Sequence, residues 1–199
     1  MNSKVITLTT DFGSRDAYVG SMKGVILDIC PDANIVDLCH SVSPQERSHG
    51  GCRWSTGYPF FPEGTIHVVV VDPGVGSERR AIAVKTSKYI FIAPDNGVLS
   101  YIYRNEEIVS IRTIDNKNLL RDQISSTFHG RDVFAPLAAH LAKGIEFQQV
   151  GSEISNPVKF ILPKPSKSEE QITAHVICID QFGNLITDIT RDYWVQHVG

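Results

Sequence analysis

The chain has 199 residues, 42% of them hydrophobic and 21% charged, with a formal net charge of −3. That length supports one domain, or one domain plus a fragment, and the composition excludes a disordered tail. There is no basic footprint for nucleic acid or an anionic membrane, and no apolar run nears the roughly 18 residues of a membrane span.

The first apolar stretch meets Asp11 at once and reads as a strand, not a signal peptide. Val5 to Thr9 is this short buried strand. From Asp16 to Ile29, Val19, Met22, Val25, Ile26 and Ile29 recur at three- and four-residue spacing, which predicts a helix ended by Pro31. Asn34 to Leu38 is a second strand. Ser43 and Glu46 form a capping box with Pro44 at the first helical position, so a helix is expected from there to about Tyr58. Thr65 to Val71, with four valines in a row, suits a strand covered on both faces. Arg80 to Thr86, Tyr89 to Ala93 and Ile108 to Ile114 are further strands. Asp132 to Lys143 is a helix, with Phe134, Leu137, Ala138 and Leu141 on one face and Gly144 just past its end.

Strands alternating with helices imply an α/β domain, with a mainly parallel sheet flanked by helices, over residues 1–162. A Pro, Ser and charge-rich linker follows at 163–170. Ile172 to Asp180 and Leu185 to Ile189 then read as strands of a short C-terminal β segment, 171–199. A piece of that size cannot bury a core of its own. The cysteines, Cys30, Cys39, Cys52 and Cys178, form no Cys-x-x-Cys pair. They read as reduced cytoplasmic thiols, with Cys30 and Cys178 as small buried hydrophobes.

Polar clusters stand at the ends of predicted strands. Open α/β sheets bind ligands beyond the carboxyl ends of their strands. Asp11 follows the first strand, Asp72 the valine strand, and Asp95-Asn96 the Tyr89 strand, while His129-Gly130-Arg131-Asp132 precedes the last helix. Parallel strands would bring these clusters to one edge. Each also has a structural explanation: Asp11 as a turn or cap residue, Asp95-Asn96-Gly97 as an ordinary turn, Asp132 as the helix N-cap or first-turn acid. Gly74 and Gly76 do not complete a dinucleotide loop, because residue 79 is Arg. No His-x-x-x-His pair marks a metal site, and there is no Gly-x-Ser-x-Gly elbow or Walker loop.

Six segments, in this order, carry a family resemblance. They are Thr9-Thr10-Asp11-Phe12-Gly13, Phe60-Phe61-Pro62-Glu63-Gly64-Thr65, Val71-Asp72-Pro73-Gly74-Val75-Gly76 with Arg79-Arg80, Ala93-Pro94-Asp95-Asn96-Gly97, Thr127-Phe128-His129-Gly130-Arg131-Asp132, and Asp180-Gln181-Phe182-Gly183-Asn184. Together they resemble the S-adenosyl-L-methionine hydroxide adenosyltransferases, relatives of the fluorinase and chlorinase enzymes, from residue 4 to about 190. The resemblance implies attack at C5′ of S-adenosylmethionine with displacement of methionine. Its hydroxide branch, marked by an Asp, Arg and His set that falls on Asp72, Arg79 and His129, makes adenosine and L-methionine. It implies substrate contacts from Asp11 (ribose hydroxyls), Asp16 (methionine part), Asn96, Phe128, Gly130, Asp180 (ammonium) and Asn184 (adenine edge). It also implies a homotrimer, with the site between the C-terminal domain of one subunit and the N-terminal domain of its neighbour. The partner expected is a small-molecule substrate, with no nucleic acid or membrane.

The chemistry suits these residue types. The sulfonium leaves as a neutral thioether, so the demand falls on the nucleophile. Asp72 can accept a hydrogen bond from water, Arg79 favours developing hydroxide, and His129 can orient the water or receive its proton. A carboxylate repels a halide. No metal or redox cofactor is required. The family's later Ser-Arg pair and Asn-Gly segment are not found, so either a shortened gene or a fragment is expected, with impaired turnover and with Tyr193 and Trp194 covering exposed sheet. Two alternatives stand: a non-catalytic relative that binds adenosine or S-adenosylmethionine, and a phosphohydrolase using Asp11 and Asp72 with a divalent ion.

Overall fold

The structure is a computed structural model that describes residues 4–42 and 54–198. It divides into two compact units, residues 1–159 and 160–199. The first is an α/β unit built on a six-stranded mixed sheet. Its strands are β1 (Val5–Thr10), β2 (Asn34–Cys39), β3 (Ile66–Val70), β4 (Ala81–Thr86), β5 (Ile90–Pro94) and β6 (Ile108–Thr113). Their spatial order is β2-β1-β3-β5-β4-β6. The pairs β2–β1, β1–β3 and β3–β5 are parallel. β4 runs against both its neighbours, so it is the strand that departs from a parallel sheet.

Alternation along the strands explains the layers. On β1 and β3, Ile6, Leu8, Ile66, Val68 and Val70 face one core, which they share with α1 (Tyr18–Ile29) and the later helix α3 (Ala135–Ala142). Val69 and Val71 face a second core with Trp54, Tyr58, Phe91 and Leu99. The valine run is therefore buried on both sides, as its composition predicts. Burying one such side chain contributes about 1.5–3 kcal/mol, so the central strands carry most of the unit's apolar stabilisation.

α1 begins two residues later than its periodicity suggests, and Val19, Met22 and Ile26 form its buried face. The helix expected at 132–143 is present but starts differently. Gly130–Phe134 is a π-helical turn that runs directly into α3. Gly144, at φ +99°, closes that helix with its N–H on the Leu141 carbonyl at 3.0 Å. The helix α2 (Ser100–Asn105) was not anticipated, because six residues hold too little periodicity to read. The capping-box helix expected from Ser43 begins in a segment, 43–53, outside the described residues.

The second unit holds β7 (Ser166–Lys167), β8 (Ile172–Thr173), β9 (Val176–Ile179), β10 (Leu185–Thr187) and α4 (Arg191–His197). β7 pairs with β8 and β9 with β10, both antiparallel. The expected linker thus contains a strand, and the expected strand at 172–180 is two. Tyr193 and Trp194, expected to cover sheet, stand on α4, which buries none of its residues and leaves Trp194 half-exposed. Tyr193 stacks on His197. Cys30 is buried as expected, whereas Cys178 is only half-buried.

Candidate active site

Parallel β1, β3 and β5 end on the same side, so Asp11, Asp72 and Asp95 leave the sheet at one edge. The antiparallel β4 starts at that edge, which returns Arg79 and Arg80 to it. Topology alone therefore gathers the carboxylates and two guanidinium groups. The π turn brings His129 to the same group, at the position preceding Gly130.

Arg79 is the hub. Its Nε donates to Asp72 Oδ1 at 2.9 Å, and its Nη2 donates to both Asp72 Oδ2 and, at 2.8 Å, His129 Nδ1. The Asp72 side chain is 3% exposed and that of Arg79 9%, so this pair is shielded from solvent. The guanidinium also lies over the Phe134 ring, 5.5 Å from its centroid. Arginine has no acceptor, so His129 Nδ1 accepts and the neutral ring carries its proton on Nε2. Burial, then the Arg79 charge, hold the His129 pKa below its ordinary value, which favours this neutral form.

Two loops carry the three side chains and lock together. Gly76 sits at φ +78°, and a Cβ there would stand 2.3 Å from the Ser126 carbonyl oxygen. The loop after β3 thus seats directly on the loop before His129, an approach that only glycine permits.

Asn96 is half-buried. Its amide donates to the Val71 carbonyl at 2.9 Å and its Oδ1 accepts from the Val98 N–H at 3.2 Å. It ties the exits of β3 and β5 together, beside Asp72. Asp95 is spent on structure: it takes the Arg80 guanidinium and, at 2.8 Å, the Val158 N–H. Asp11 is half-buried in a loop pinned to β2, where Gly13 N donates to the His40 carbonyl at 2.7 Å. Asp16 is exposed, ahead of α1. Phe128 packs edge-on against Phe12 and Tyr18 at centroid distances of 5.9 and 5.2 Å, with Arg131 over its face at 4.8 Å. Gly130 is buried, and a Cβ there would press to 3.2 Å on Met22 Sδ and the Phe12 ring. Asp132 is not an N-cap. It is the first-turn acid of the π turn, fully buried, hydrogen-bonded by Ser125 N–H and Arg131 and ion-paired with Arg121.

Asp180 and Asn184 belong to the second unit, in the β9–β10 turn. Asn184 Nδ2 donates to Asp180 Oδ2 at 2.7 Å, while Asp180 Oδ1 takes the Phe182 and Asn184 N–H groups. These donors, the Asn184 side chain first, lower the exposed Asp180 carboxyl's pKa. Tyr18 and Ser126 escaped the sequence reading, and Phe12 entered it only as part of a motif. Nothing in a linear string pairs an aromatic at 12 with one at 128. Among the described residues no three His, Cys, Asp or Glu side chains are grouped to hold a metal ion. Among the described residues no helix is long and apolar enough to cross a membrane.

The fold and site define an α/β protein with a shielded carboxylate–guanidinium–imidazole set at the carboxyl edge of its sheet. The family profile for the SAM hydroxide adenosyltransferase N-terminal domain matches residues 6–151, and the chain belongs to that family. It is 41% identical to the (R)-S-adenosyl-L-methionine hydrolase of Methanocaldococcus jannaschii, over 94% of this chain and 68% of that one. It is 32% identical to the fluorinase of an Actinoplanes species, over 94% of this chain and 72% of the relative. A crystal structure of an uncharacterized conserved protein from Thermotoga maritima superposes with a TM-score of 0.91 at 38% identity, covering 96% of this chain and 73% of that one.

Proposed function

We propose that the chain hydrolyses S-adenosyl-L-methionine to adenosine and L-methionine by attack of water at ribose C5′. The observation that carries this is the hydrogen-bonded set of Asp72, Arg79 and His129 at the sheet edge. The likeness to relatives named (R)-S-adenosyl-L-methionine hydrolase supports it.

Each residue has a job in that step. Water forms the new C5′–O bond, the C5′–S bond breaks, and its electron pair stays on sulfur as the neutral thioether of methionine. Asp72 accepts the hydrogen bond of the attacking water and takes its proton. Arg79 holds Asp72 in place and offsets the negative charge that develops on the water oxygen. With Nδ1 committed to Arg79, His129 orients the water through its Nε2–H and is not the proton acceptor. Asp72 and Arg79 cancel in net charge, so a halide gains no net attraction, whereas water finds both acceptor and donor. Holding water in line with the C5′–S bond is where most of the rate comes from.

The remaining contacts follow the family resemblance. Asp11 takes the ribose hydroxyls and Asp16 lies toward the methionine part. Asn96, Phe128 and Gly130 shape the adenosyl side. Asp180 receives the ammonium and Asn184 the adenine edge. The assembly is a homotrimer of a cytoplasmic protein, with the site completed by a neighbouring subunit.

Purified chain is incubated with S-adenosylmethionine, with and without a chelator, and nucleosides are separated by chromatography. Equimolar adenosine and methionine, unaffected by chelator and absent in Asp72→Ala, is the expected result. Binding without products would instead identify a non-catalytic relative, and chelator-sensitive turnover would identify a metal-dependent enzyme.

A further inference from the structure

We propose that Asp132 is a positioning residue, which sets His129 and the Ser126 seat through the loop that carries both. The inference rests on the hydrolytic reading for its kinetic part only.

Asp132 is fully buried and does no capping. Three hydrogen-bond donors and a second guanidinium converge on its carboxylate. Arg131 Nε reaches Oδ1 at 2.7 Å and Arg131 Nη2 reaches Oδ2 at 2.9 Å. The Ser125 N–H reaches Oδ2 at 2.9 Å, and Arg121 Nε stands 3.4 Å from Oδ1. Its backbone repeats the hold. The Asp132 N–H donates to the Phe128 carbonyl, and the Asp132 carbonyl accepts the Arg121 N–H. Both ends of the 121–128 segment are thus tied to one residue of the π turn. A buried carboxylate held from several directions is a rigid anchor, since moving it would break several charge-assisted contacts at once.

What the segment presents decides its role. Ser126 offers the carbonyl against which Gly76 sits, and the segment ends at His129, whose Nδ1 meets Arg79. Arg131, oriented by Asp132, also covers the face of Phe128. The arrangement therefore runs from a fully buried carboxylate, through one loop, to the imidazole of the reacting set. A π turn at this point moves His129 relative to an ordinary helical start, as such turns often do at functional sites.

The His129 ring reports on this without any substrate. It faces the charges of Arg79, Asp72 and Asp132. Removing the Asp132 charge alone would lower the His129 midpoint further, since that charge raises it. Loosening the loop would expose the ring, weaken the Arg79 contact and raise the midpoint toward about 6.5. The two effects have opposite signs.

Nitrogen-15 NMR of the assigned His129 ring is recorded across pH for the wild type, Asp132→Asn and Arg121→Gln, with His129→Gln for assignment. The positioning role requires an upward midpoint shift and loss of the single Nε2–H tautomer in Asp132→Asn, with a smaller shift the same way in Arg121→Gln. A downward or absent shift with the tautomer preserved would overturn it. Should Asp132→Asn not fold, the half-exposed Arg121 gives the answer through the tautomer, since losing its cation raises the midpoint by charge alone: a preserved Nε2–H tautomer in Arg121→Gln would overturn the role. In turnover assays, kcat of Asp132→Asn should fall roughly 10–100-fold with KM changed far less. A wild type that turns nothing over would remove the hydrolytic reading and leave the NMR result standing.

Discussion

Arg79 holds the site together because it hydrogen-bonds both Asp72 and His129. Arg79→Ala would leave Asp72 charged, buried and unpaired, at a cost of about 3–5 kcal/mol. Urea melts should show that loss together with abolished turnover. Arg79→Lys should fold better yet stay inactive, because an ammonium is a single point charge and cannot span both partners. His129 makes a second residue-level prediction. Its folded pKa is lowered, so the ring stays neutral to below pH 6.5. The acid limb of kcat should therefore lie under 6.5, and a limb above it would contradict the assignment. His67 tests the core. It is buried with Nδ1 bonded to Thr7 Oγ1 at 2.7 Å, stacked on Phe91, and burial lowers its pKa to about 3. Below pH 6.5 the unfolded chain takes up a proton that the folded chain refuses. Stability from this group is complete above 6.5 and drains away as pH falls toward 3, by up to ~1.4 kcal/mol per pH unit. Urea melts from pH 7.5 to 4 should show a shallower pH slope in His67→Phe than in the wild type.

At the scale of the element, the loop after β3 carries a contrast between two glycines. Gly76→Ala places a Cβ on the Ser126 carbonyl and strains φ, so it should lower the melting temperature and remove most activity. Gly74→Ala meets only ordinary contacts, with Ser77 Oγ at 3.5 Å, and should change either far less. Equal effects in a paired thermal melt and activity assay would show that the two loops are not locked. The strands that position this loop were legible in the sequence, because β-branched runs and Gly and Pro punctuation are local signals. So was the α3 helix, from Phe134, Leu137, Ala138 and Leu141. The π turn was not, since its hydrogen-bond shift leaves no change in apolar period. Asp132 was read as an N-cap or first-turn acid, and the second holds, in a π turn instead of an α-helical one. Here the chain has already entered the turn at Gly130, and the carboxylate looks back to Ser125. Asp72, Arg79 and His129 were named together through the family resemblance, and their contacts, across as many as 50 positions, came only from the fold.

Across the whole molecule, apolar burial is uneven between the units. The first unit fills both faces of its sheet. In the second, Ile177 is the buried hydrophobic among the described residues, while Val176, Ile179, Phe182, Leu185 and Trp194 are exposed. Amide exchange should be slowest in β1, β3 and β5 and faster throughout β9 and β10. Comparable protection in both units would contradict the distribution of burial. The central claim is attack of water at C5′, and isotope labelling tests it most directly. Turnover in oxygen-18 water should place one label on the 5′-hydroxyl of adenosine and none on methionine, with no 5′-halogenated nucleoside in added fluoride or chloride. Adenosine without the label, or a halogenated product, would contradict the account.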